Sequence, residues 1–468
     1  MNTLSESQQE GRRFLNLAFD AWKGAQHLRE GRKRFMKFTF GDQWSDITVT
    51  PMGEILTEKE WATRSGARPL TNNLIRRAVK TVVGVFRTNH PKSFTRRLRD
   101  TLRLNNITEL DSRAFEEFLI SGCAIQRVIS ERRPAGNGIW VDNVAPDRFF
   151  VNRFSDPRGI DIELIGMIHD MSTAELHSRF SMKKDQVRRN PGQNSSDALP
   201  ISFADRDFEP FFTPAQGKHR VIEVWTLESM DAVKGFDPVS GSFFMAHGRR
   251  RGKLQRINRR RKSTDRIAYT DFHTVRWVCR WISADGVLLD KYISQFPHSS
   301  YPFAVKFYPL TDGRVHPFIE DIIDQQKYIN RMITLIDSIM STSAKGVLLF
   351  PEDRKPNGMS WIDIDTLWGD CRGVIPIKSS TRTNDMPVQI TTSGATADAH
   401  KLLGTQLDLM KHISGVSPAL SGETVSSHDS ASLQTMLREN SQYALADIFG
   451  AFESFIEARN NLVETTEL

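Results

Sequence analysis

The stretch from Gly313 to Phe350 reads GRVHPFIEDIIDQQKYINRMITLIDSIMSTSAKGVLLF and predicts one long helix that begins near Pro317. Proline is tolerated in a first helical turn, and small residues before Gly346 predict the end. Apolar residues recur along it at helical spacing: Val315, Ile319, Ile322, Ile329, Ile333, Ile336 and Met340. About 27 residues at ~1.5 Å rise give a rod of roughly 40 Å, more than twice the ordinary helix length.

The other face of this helix is predicted to be polar and of mixed charge. Its residues are Asp321, Asp324, Gln325, Lys327, Asn330, Arg331, Thr334 and Asp337. A helix this long with a narrow apolar stripe usually lies against partner helices. A long helix inside an ordinary monomer is the alternative.

Length and composition set the class of protein. With 468 residues, 39% hydrophobic and 25% charged, the chain is expected to fold into two to four units. Its three cysteines, Cys123, Cys279 and Cys371, are far apart and form no CxxC pair, which argues against a disulfide framework or a zinc knuckle. The sequence shows neither a signal peptide nor an apolar run of 18 residues, so we expect no membrane segment and a cytoplasmic site of synthesis.

The positive charge is concentrated in one tract. Residues 249–262, RRRGKLQRINRRRK, hold nine basic residues and no acidic one. Without these nine, the net charge of +7 becomes −2. Such a tract would bind phosphates mainly by counterion release, although charge runs are more often solvated loops.

The first third of the chain predicts helices separated by a turn. Residues 4–40 look helical and lead into Phe40-Gly41-Asp42-Gln43-Trp44, where Trp44 is expected to fill core. A second helix should run to Phe86 with Asn72 as its N-cap. A third is predicted over 107–129, broken at Ser121–Ala124.

After residue 130 the hydrophobic period changes to two, which predicts strands. We expect a strand over 139–144 that runs into a bend at 146–150, a loop over 181–217, and a strand over 219–227. Residues 229–263, with the basic tract, are predicted to be an insertion. Alternation over 275–281, the turn Ala284-Asp285-Gly286 and a return over 287–293 predict a β-hairpin.

Beyond Gly346 the sequence predicts short strands at 347–350, 361–364, 373–377 and 388–390. A second long helix is expected over 395–413, with Ala399, Leu402, Leu403, Gln406, Leu409, Met410 and Ile413 on one side. A polar loop and a last helix over 430–460 follow. Two long helices that leave and re-enter the same side of a small β segment would form a stalk with a cap.

Catalytic motifs are absent from the sequence. We find no GxxxxGK[ST], no HExxH and no GxSxG, and the twelve histidines are scattered. An acidic pair such as Asp321/Asp324 fits a solvated helix surface. We therefore expect no enzyme activity, no metal site and no cofactor.

The segment DQQKYINRMITLIDSIMSTSAKGVLL resembles the stem helix of portal proteins, the head-to-tail connectors of tailed double-stranded DNA phages, in particular the short-tailed type. Further points of resemblance are 42–44, 73–75, 146–150 and 324–338, in the family's order. The resemblance implies an α+β fold with a wing (1–313, with the insertion 229–263), stem helices (314–345 and 393–414), a small β-rich clip (346–392), a tunnel loop (415–430) and a wing helix (431–468).

Two features depart from the family pattern. The family often has Ser-Gly-x-Ala before the helix that follows the loop, whereas this chain has Ser427-His428-Asp429-Ser430-Ala431. The chain also ends soon after that helix, so a C-terminal crown is expected to be absent or very short.

The resemblance implies a homo-oligomeric ring of twelve subunits at a capsid vertex of the virion, assembled in the host cytoplasm without a membrane. Double-stranded DNA would be packaged and ejected through it. Expected partners are the terminase large subunit, the major capsid and scaffold proteins, and connector or tail adaptor proteins.

Candidate site residues follow from these roles. The tunnel loop would present Ser421, Glu423, Thr424, Ser426, Ser427, His428 and Asp429. Candidate phosphate contacts are Lys345, Lys401, Lys411, Arg249, Arg250, Arg251, Lys253, Arg256, Arg259, Arg260, Arg261 and Lys262. His428 is the only loop residue that titrates near neutrality.

Two other functions fit the same sequence. One is a soluble nucleic-acid-binding protein or enzyme, monomeric or dimeric, that uses the tract 249–262. The other is a different ring-forming head-to-tail connector, which would lack the wing.

Overall fold

A computed structural model describes residues 6–64, 67–89, 96–133, 136–180, 209–247, 251–343, 347–369, 375–378, 386–390, 395–416, 420 and 431–466. The chain divides into two compact units. The first contains residues 1–32, 86–317 and 447–468, and the second contains residues 33–85 and 318–446. Both helices and sheets are present, which confirms the α+β class.

The helices of the described residues are α1 (Glu6–Gly24), α2 (Gln26–Phe40), α3 (Glu58–Arg64), α4 (Leu74–Asn89), α5 (Arg96–Leu104), α6 (Ile107–Ser121), α7 (Thr173–Arg179), α8 (Glu209–Phe212), α9 (Arg251–Arg260), α10 (Glu320–Ser343), α11 (Trp361–Gly369), α12 (Ala395–Ser414) and α13 (Ala431–Thr466). The strands are β1 (Ile47–Val49), β2 (Ile55–Thr57), β3 (Cys123–Arg133), β4 (Gly136–Asn143), β5 (Phe149–Val151), β6 (Leu164–Met171), β7 (His219–Asp237), β8 (Ser242–His247), β9 (Ala268–Ser283), β10 (Leu288–Ile293), β11 (Phe303–Phe307), β12 (Leu310–Thr311), β13 (Arg314–Val315), β14 (Val347–Leu349) and β15 (Val388–Ile390).

A six-stranded antiparallel sheet forms the body of the first unit, in the order β10-β9-β7-β6-β5 with β8 paired to β7. The predicted hairpin is confirmed, because β9 and β10 pair around a turn that contains Gly286. The strand predicted over 219–227 is longer and continues to Asp237, paired with β9 down to Ala268. The predicted insertion 229–263 therefore begins inside the sheet, where β7 and β9 extend together and carry β8 and α9.

Helix α1 packs its apolar face on this sheet. Phe14, Ala18 and Trp22 lie buried in one cluster with Ile222 and other sheet residues. The helix approaches the β9–β10 turn so closely that a Cβ on Gly11 would lie 2.3 Å from the carbonyl oxygen of Gly286. The predicted helical region 4–40 is thus present, but as two helices on either side of Ala25.

A three-stranded sheet, β11-β3-β4, forms the second layer of this unit. The helix predicted over 107–129 ends at Ser121, and the following residues form β3 instead. Gly122 makes this change of direction, since its φ of 70° is left-handed and a Cβ there would lie 2.2 Å from Val315 Cγ1. The apolar run after Gly122 is buried between two neighbouring strands, which is why helical periodicity gave the wrong boundary.

The long helix predicted from Pro317 is present in the second unit as α10. It begins at Glu320 and contains 24 residues. Ile322, Ile329 and Ile336 are buried as predicted, but Met340 is exposed. Asn330 and Thr334, predicted for the polar face, are buried, and their partners are described below.

The segment between the two long helices is less β-rich than predicted. β14 pairs with β15, which confirms two of the four strands. Residues 361–364 instead begin helix α11, and residues 375–377 are not in a strand, whereas 373–374 lie outside the described residues. The alternation of Trp361-Ile362-Asp363-Ile364 is typical of a strand, but Ser360 and Asp363 bond each other's backbone N–H groups and start a helix.

Candidate functional sites

The predicted tunnel loop falls outside the described residues. This applies to Ser421, Glu423, Thr424, Ser426, Ser427, His428 and Asp429, and equally to Lys345, Arg249 and Arg250. Their proposed roles stay predictions.

Two of the predicted phosphate contacts lie on helix α12, and both are exposed. Lys411 forms an ion pair of 3.0 Å with Asp408, one turn away on the same helix. Exposed pairs of this kind contribute less than about 1 kcal/mol. The cationic charge along the described part of α12 is therefore low, because Asp408 offsets Lys411 and leaves Lys401 as the other lysine.

Helices α10 and α12 pack against each other in the second unit, and each leaves apolar side chains on the surface. On α12 these are Leu402, Leu409 and Ile413, at spacings of seven and four that place them on one face. On α10 they are Tyr328, Leu335 and Met340. Of the predicted apolar side of α12, only Met410 is buried. Tyr328 and Leu335 share one face of α10, whereas Met340 lies on another. The single chain therefore leaves an apolar stripe uncovered on α12 and apolar side chains uncovered on α10.

The buried polar residues of α10 bind the segment 70–75, which leads into the first turn of α4. Gln326, Asn330 and Thr334 are spaced by four and so share one helix face. They accept hydrogen bonds from backbone N–H groups: Leu70 to Thr334 Oγ1 (3.2 Å), Asn72 to Asn330 Oδ1 (3.3 Å), Leu74 to Gln326 Oε1 (3.0 Å) and Ile75 to Gln326 Oε1 (3.2 Å). Gln326 Nε2 in turn donates to the Asn72 carbonyl at 2.7 Å. Helix α10 thus satisfies the N–H groups of Leu70 and Asn72 and those of Leu74 and Ile75, which lie in the first turn of α4 and have no acceptor within that helix.

Gln43 and Asn73 complete what we call the polar cluster (Gln43, Asn73, Gln326, Asn330 and Thr334). Asn330 Nδ2 donates to Gln43 Oε1 at 2.6 Å, and Gln43 Nε2 donates to Asn73 Oδ1 at 3.2 Å. Three of the sequence segments singled out by their pattern, 42–44, 73–75 and 324–338, therefore meet in one hydrogen-bonded network. Gln326 was missed by sequence reasoning, although its spacing of four from Asn330 was a usable signal.

Two local predictions near this cluster are wrong. The N-cap of α4 is Asn73, whose Oδ1 accepts the N–H of Arg76 at 3.0 Å, and not Asn72. Gln43, not Trp44, is the buried residue of the turn, whereas Trp44 is half-buried and donates to Thr71 Oγ1 at 2.9 Å.

An ion-pair network lies beside the polar cluster. Arg331 donates to both oxygens of Glu58, at 2.6 and 2.8 Å, and Lys327 lies within 3.0 Å of Glu58 and 2.8 Å of Asp46. Burial raises the pKa of Glu58, but the bonds from Arg331 and Lys327 outweigh it and hold the pKa below its ordinary value. The pKa of Asp46 is lowered in the same way, with Arg34 as a further donor. These charges fix the β1–β2 hairpin and α3 to the long helix.

The basic tract forms an amphipathic helix in the first unit. Leu254 of α9 is buried in a small core with Val233 and Ile267. Asn258 exchanges two hydrogen bonds with the backbone of Ile267, at 2.8 and 2.9 Å. The opposite face of α9 is cationic and exposed, and we call it the basic face: Lys253, Arg256, Arg259 and Arg260.

The other described basic residues of the tract, Arg251, Arg261 and Lys262, do not belong to the basic face. Arg261 donates to both carboxylate oxygens of Asp237, at 2.6 and 3.1 Å, and this bond holds the pKa of Asp237 below its ordinary value. Arg251 lies 3.3 Å from Asp271, and Lys262 is exposed. Arg261 therefore serves to close the end of α9, and its donors are occupied.

The described residues were searched for reactive thiols, metal-binding groups and membrane-spanning helices. Burial raises the pKa of the Cys123 and Cys279 thiols, which disfavours reactive thiolates. Among the described residues, no three His, Cys, Asp or Glu side chains are grouped so that they could hold a metal ion. No helix within these residues is long and apolar enough to span a bilayer.

The chain was compared with families of known proteins. The model of the family described as phage P22-like portal protein matches residues 16–461. No curated protein matches the chain. The matched range takes in both units, the polar cluster, the basic face and the two long helices.

Proposed function

Because the chain belongs to the P22-like phage portal protein family, we propose that twelve copies close a ring at one capsid vertex, through which double-stranded DNA is packaged and ejected. The family is one of structural proteins of the phage capsid. Assembly takes place in the host cytoplasm before the ring joins the capsid.

The uncovered apolar side chains on α10 and α12 support the ring. Leu409 is 42% exposed and Leu335 is 51% exposed, and both lie on long helices where partner helices could cover them. Burial of one such side chain contributes about 1.5–3 kcal/mol, so several per subunit make a stable contact. A closed ring buries the same stripe in every copy, because each subunit contacts two neighbours through unlike faces.

The channel wall is proposed to consist of the helices α10 and α12 and the loop 415–430. DNA must slide through it, so tight phosphate binding would hinder transport. The loop residues Ser421, Thr424, Ser426 and Ser427 are uncharged, and Glu423 and Asp429 would repel phosphate. Lys345, Lys401 and Lys411 supply loose contacts that salt screens easily.

The clip, residues 346–392, is proposed to bind the terminase large subunit during packaging and connector or tail adaptor proteins afterwards. Its described residues expose apolar side chains, with Ile362 76% and Trp361 46% exposed. Exposed apolar groups of this size mark protein–protein contacts. The substitution Ile362→Glu should weaken terminase binding, whereas Ile362→Leu, which keeps an apolar side chain of similar size at the same position, should not. If a deletion of residues 350–390 leaves terminase binding intact, the assignment is wrong.

The basic face is proposed to contact phosphates of packaged DNA, or acidic surfaces of the major capsid or scaffold proteins. Its cations extend from one side of a helix whose other side is anchored to the sheet, so they are presented on a fixed support.

Solution mass tests the central proposal. Twelve copies of a 53.3 kDa chain give about 640 kDa, and electron micrographs of the purified protein should show annular particles. A particle that stays near the mass of one or two chains at high protein concentration, also in the presence of capsid and scaffold proteins, would refute the ring. A ring with another subunit number would correct the stoichiometry alone.

A further inference from the structure

A cavity of about 860 Å³ in the first unit is lined by several arginine side chains. It lies between strand β3, strand β6 and helix α7. Its lining includes Arg127, Arg133, Arg148 and Arg179. The cavity is well separated in sequence from the basic tract. Arg148 belongs to the segment 146–150, whereas the other three arginines did not stand out in the sequence.

Arg127 lies deep in this cavity with hydrogen-bonding capacity to spare. Its side chain is 5% exposed, and Nε and Nη2 have no hydrogen-bond partner. Nη2 lies 3.0 Å from Glu223 Oε2, but its N–H groups are not aligned on that oxygen, so the contact is an ion pair without a hydrogen bond. A buried donor without an acceptor costs about 1–3 kcal/mol, so an acceptor that enters the cavity would be stabilised there.

The carboxylates around the cavity already have partners. Glu223 also accepts hydrogen bonds from His169 Nε2 at 2.8 Å and from Trp225 Nε1 at 2.9 Å. Burial lowers the pKa of His169, so the neutral imidazole donates to Glu223 through Nε2. The Glu223 carboxylate therefore contacts three groups: Arg127, His169 and Trp225.

The remaining lining carboxylates are engaged in the same way. Glu131 and Asp142 both bind Arg133, and Asp170 binds Arg220 at 2.8 Å. Glu175 accepts the Ser172 N–H at 2.7 Å in the capping box of α7. These groups are not available to Arg127.

Two further arginines lie nearer the surface of the cavity. Arg179 stacks over the Trp281 ring, with 4.2 Å from Cζ to the ring centroid, and its side chain is 32% exposed. Its contact with Glu131 is long, at 3.5 Å. Arg148 is 49% exposed and lies 3.2 Å from Asp170. Guanidinium groups on several sides of one cavity match the oxygens of a phosphate, which accepts paired hydrogen bonds.

We propose that this cavity is a phosphate-binding site, with Arg127 as the buried donor and Arg179 as a second donor toward the surface. The phosphate is either a free ion or a backbone phosphate of a nucleic acid, since both present the same oxygens. The proposal does not depend on the ring or on the stoichiometry of assembly.

Titration calorimetry of the full-length protein with inorganic phosphate, in chloride buffer of constant ionic strength, tests this site. We expect saturable binding in the wild type. Arg127→Gln should weaken it at least about ten-fold, the equivalent of about 1.4 kcal/mol. Arg179→Gln should weaken it several-fold, and Arg153→Gln, an exposed arginine outside the cavity, should leave it unchanged.

The outcomes separate the alternatives. No phosphate binding by the wild type, or equal binding by the wild type and Arg179→Gln, would overturn the proposal and leave water as the acceptor for Arg127. If Arg127→Gln does not fold, Arg179→Gln carries the test. Displacement of bound phosphate by a short DNA duplex would identify the ligand as a backbone phosphate, and phosphate that stays bound would identify it as the free ion.

Discussion

Asn330 donates a hydrogen bond of 2.6 Å from Nδ2 to Oε1 of Gln43, and both side chains are buried although 287 residues separate them in the chain. The bond joins the turn after α2 to the middle of the long helix α10. Asn330 Oδ1 also accepts from the N–H of Asn72 at 3.3 Å. One side chain therefore connects three separate segments of the second unit.

Removal of this side chain should lower the thermal stability of the second unit. In Asn330→Ala, Gln43 Oε1 and the Asn72 N–H lose a partner in a buried place, at a cost of about 1–3 kcal/mol. A unit of this size loses roughly 2–4 °C in unfolding midpoint per kcal/mol. Asp337→Ala, an exposed change on the same helix, serves as the control in scanning calorimetry. Equal midpoints for the two variants would show that the polar cluster contributes no stability.

The ion pair between Arg459 and Asp111 should be more sensitive than any exposed pair. Both side chains are fully buried, and Arg459 donates to the two carboxylate oxygens at 3.0 and 3.1 Å. Arg459→Met removes both guanidinium hydrogen bonds from the buried Asp111 carboxylate, and the loss of one member of a buried ion pair typically costs about 3–5 kcal/mol. The double variant Arg459→Met/Asp111→Leu should recover part of that loss, because no charge is then left buried.

Proteolysis of α13 and thermal unfolding measure this effect. Arg459→Met should expose the end of the helix to protease at lower temperature, and Glu457→Gln, exposed on the same helix, should behave as the wild type. A double variant that is no more stable than Arg459→Met would contradict the role given to the buried charge of Asp111.

Acid should destabilise the second unit through Glu58 and Asp46. The folded-state pKa of each lies below its ordinary value, 4.5 for Glu58 and 3.8 for Asp46, because their cationic partners outweigh burial. A carboxylate of this kind stabilises the fold above its unfolded-state pKa and loses that contribution as the pH falls through its folded-state pKa. The unfolding midpoint should therefore be flat above about pH 5 and fall steadily below it.

The substitution Glu58→Gln isolates this dependence. It should lower the midpoint at pH 7 and make the decrease toward pH 3 smaller than in the wild type. Asp337→Asn, exposed on α10, should keep the wild-type profile in both respects. A Glu58→Gln profile parallel to that of the wild type would assign the acid sensitivity to other groups.

Neutralising the basic face should reduce the salt dependence of DNA binding. The slope of log K against log salt for duplex DNA is about −0.9 per phosphate contact, so Lys253→Gln/Arg256→Gln/Arg260→Gln should lower its magnitude by up to about 3. Arg261→Gln is the matched control from the same tract, since Arg261 already binds Asp237. An unchanged slope in the triple variant would rule out DNA as the partner of this face and favour a capsid or scaffold protein.

Sequence patterns predicted the helices and strands better than they predicted the side-chain contacts between them. The hairpin that turns at Gly286 and the long helix α10 were predictable because periodicity records which face of an element is buried. Burial of Asn330 was not predictable, since a polar residue on a helix shows the same pattern whether water or a distant backbone N–H satisfies it. Helix α11 was missed for a local reason, because the alternation of 361–364 concealed the Ser360 and Asp363 cap.

The cavity that contains Arg127 could be predicted from the sequence even less than the burial of Asn330. Arg127 lies in the buried first part of β3, and nothing in its neighbourhood along the chain distinguishes it from an ordinary exposed arginine. Its place depends on Glu223 and Trp281, which come from two other strands. A pattern read along one segment cannot bring such groups together.

We expect the apolar stripe of α12 to lie in the contact between neighbouring copies. Leu409 lies between Leu402 and Ile413 on an exposed face, so a charge there would be buried on assembly without a partner. We expect Leu409→Glu to shift the protein from the ring to smaller species while each chain stays folded. Lys411→Glu, nearly on the opposite side of the helix, changes the charge more but should leave the ring intact. Light scattering after size-exclusion chromatography gives the mass of each variant, and circular dichroism reports folding. Rings of equal mass in both variants would place the subunit contact on another surface, because a buried, unpaired glutamate could not persist in the interface.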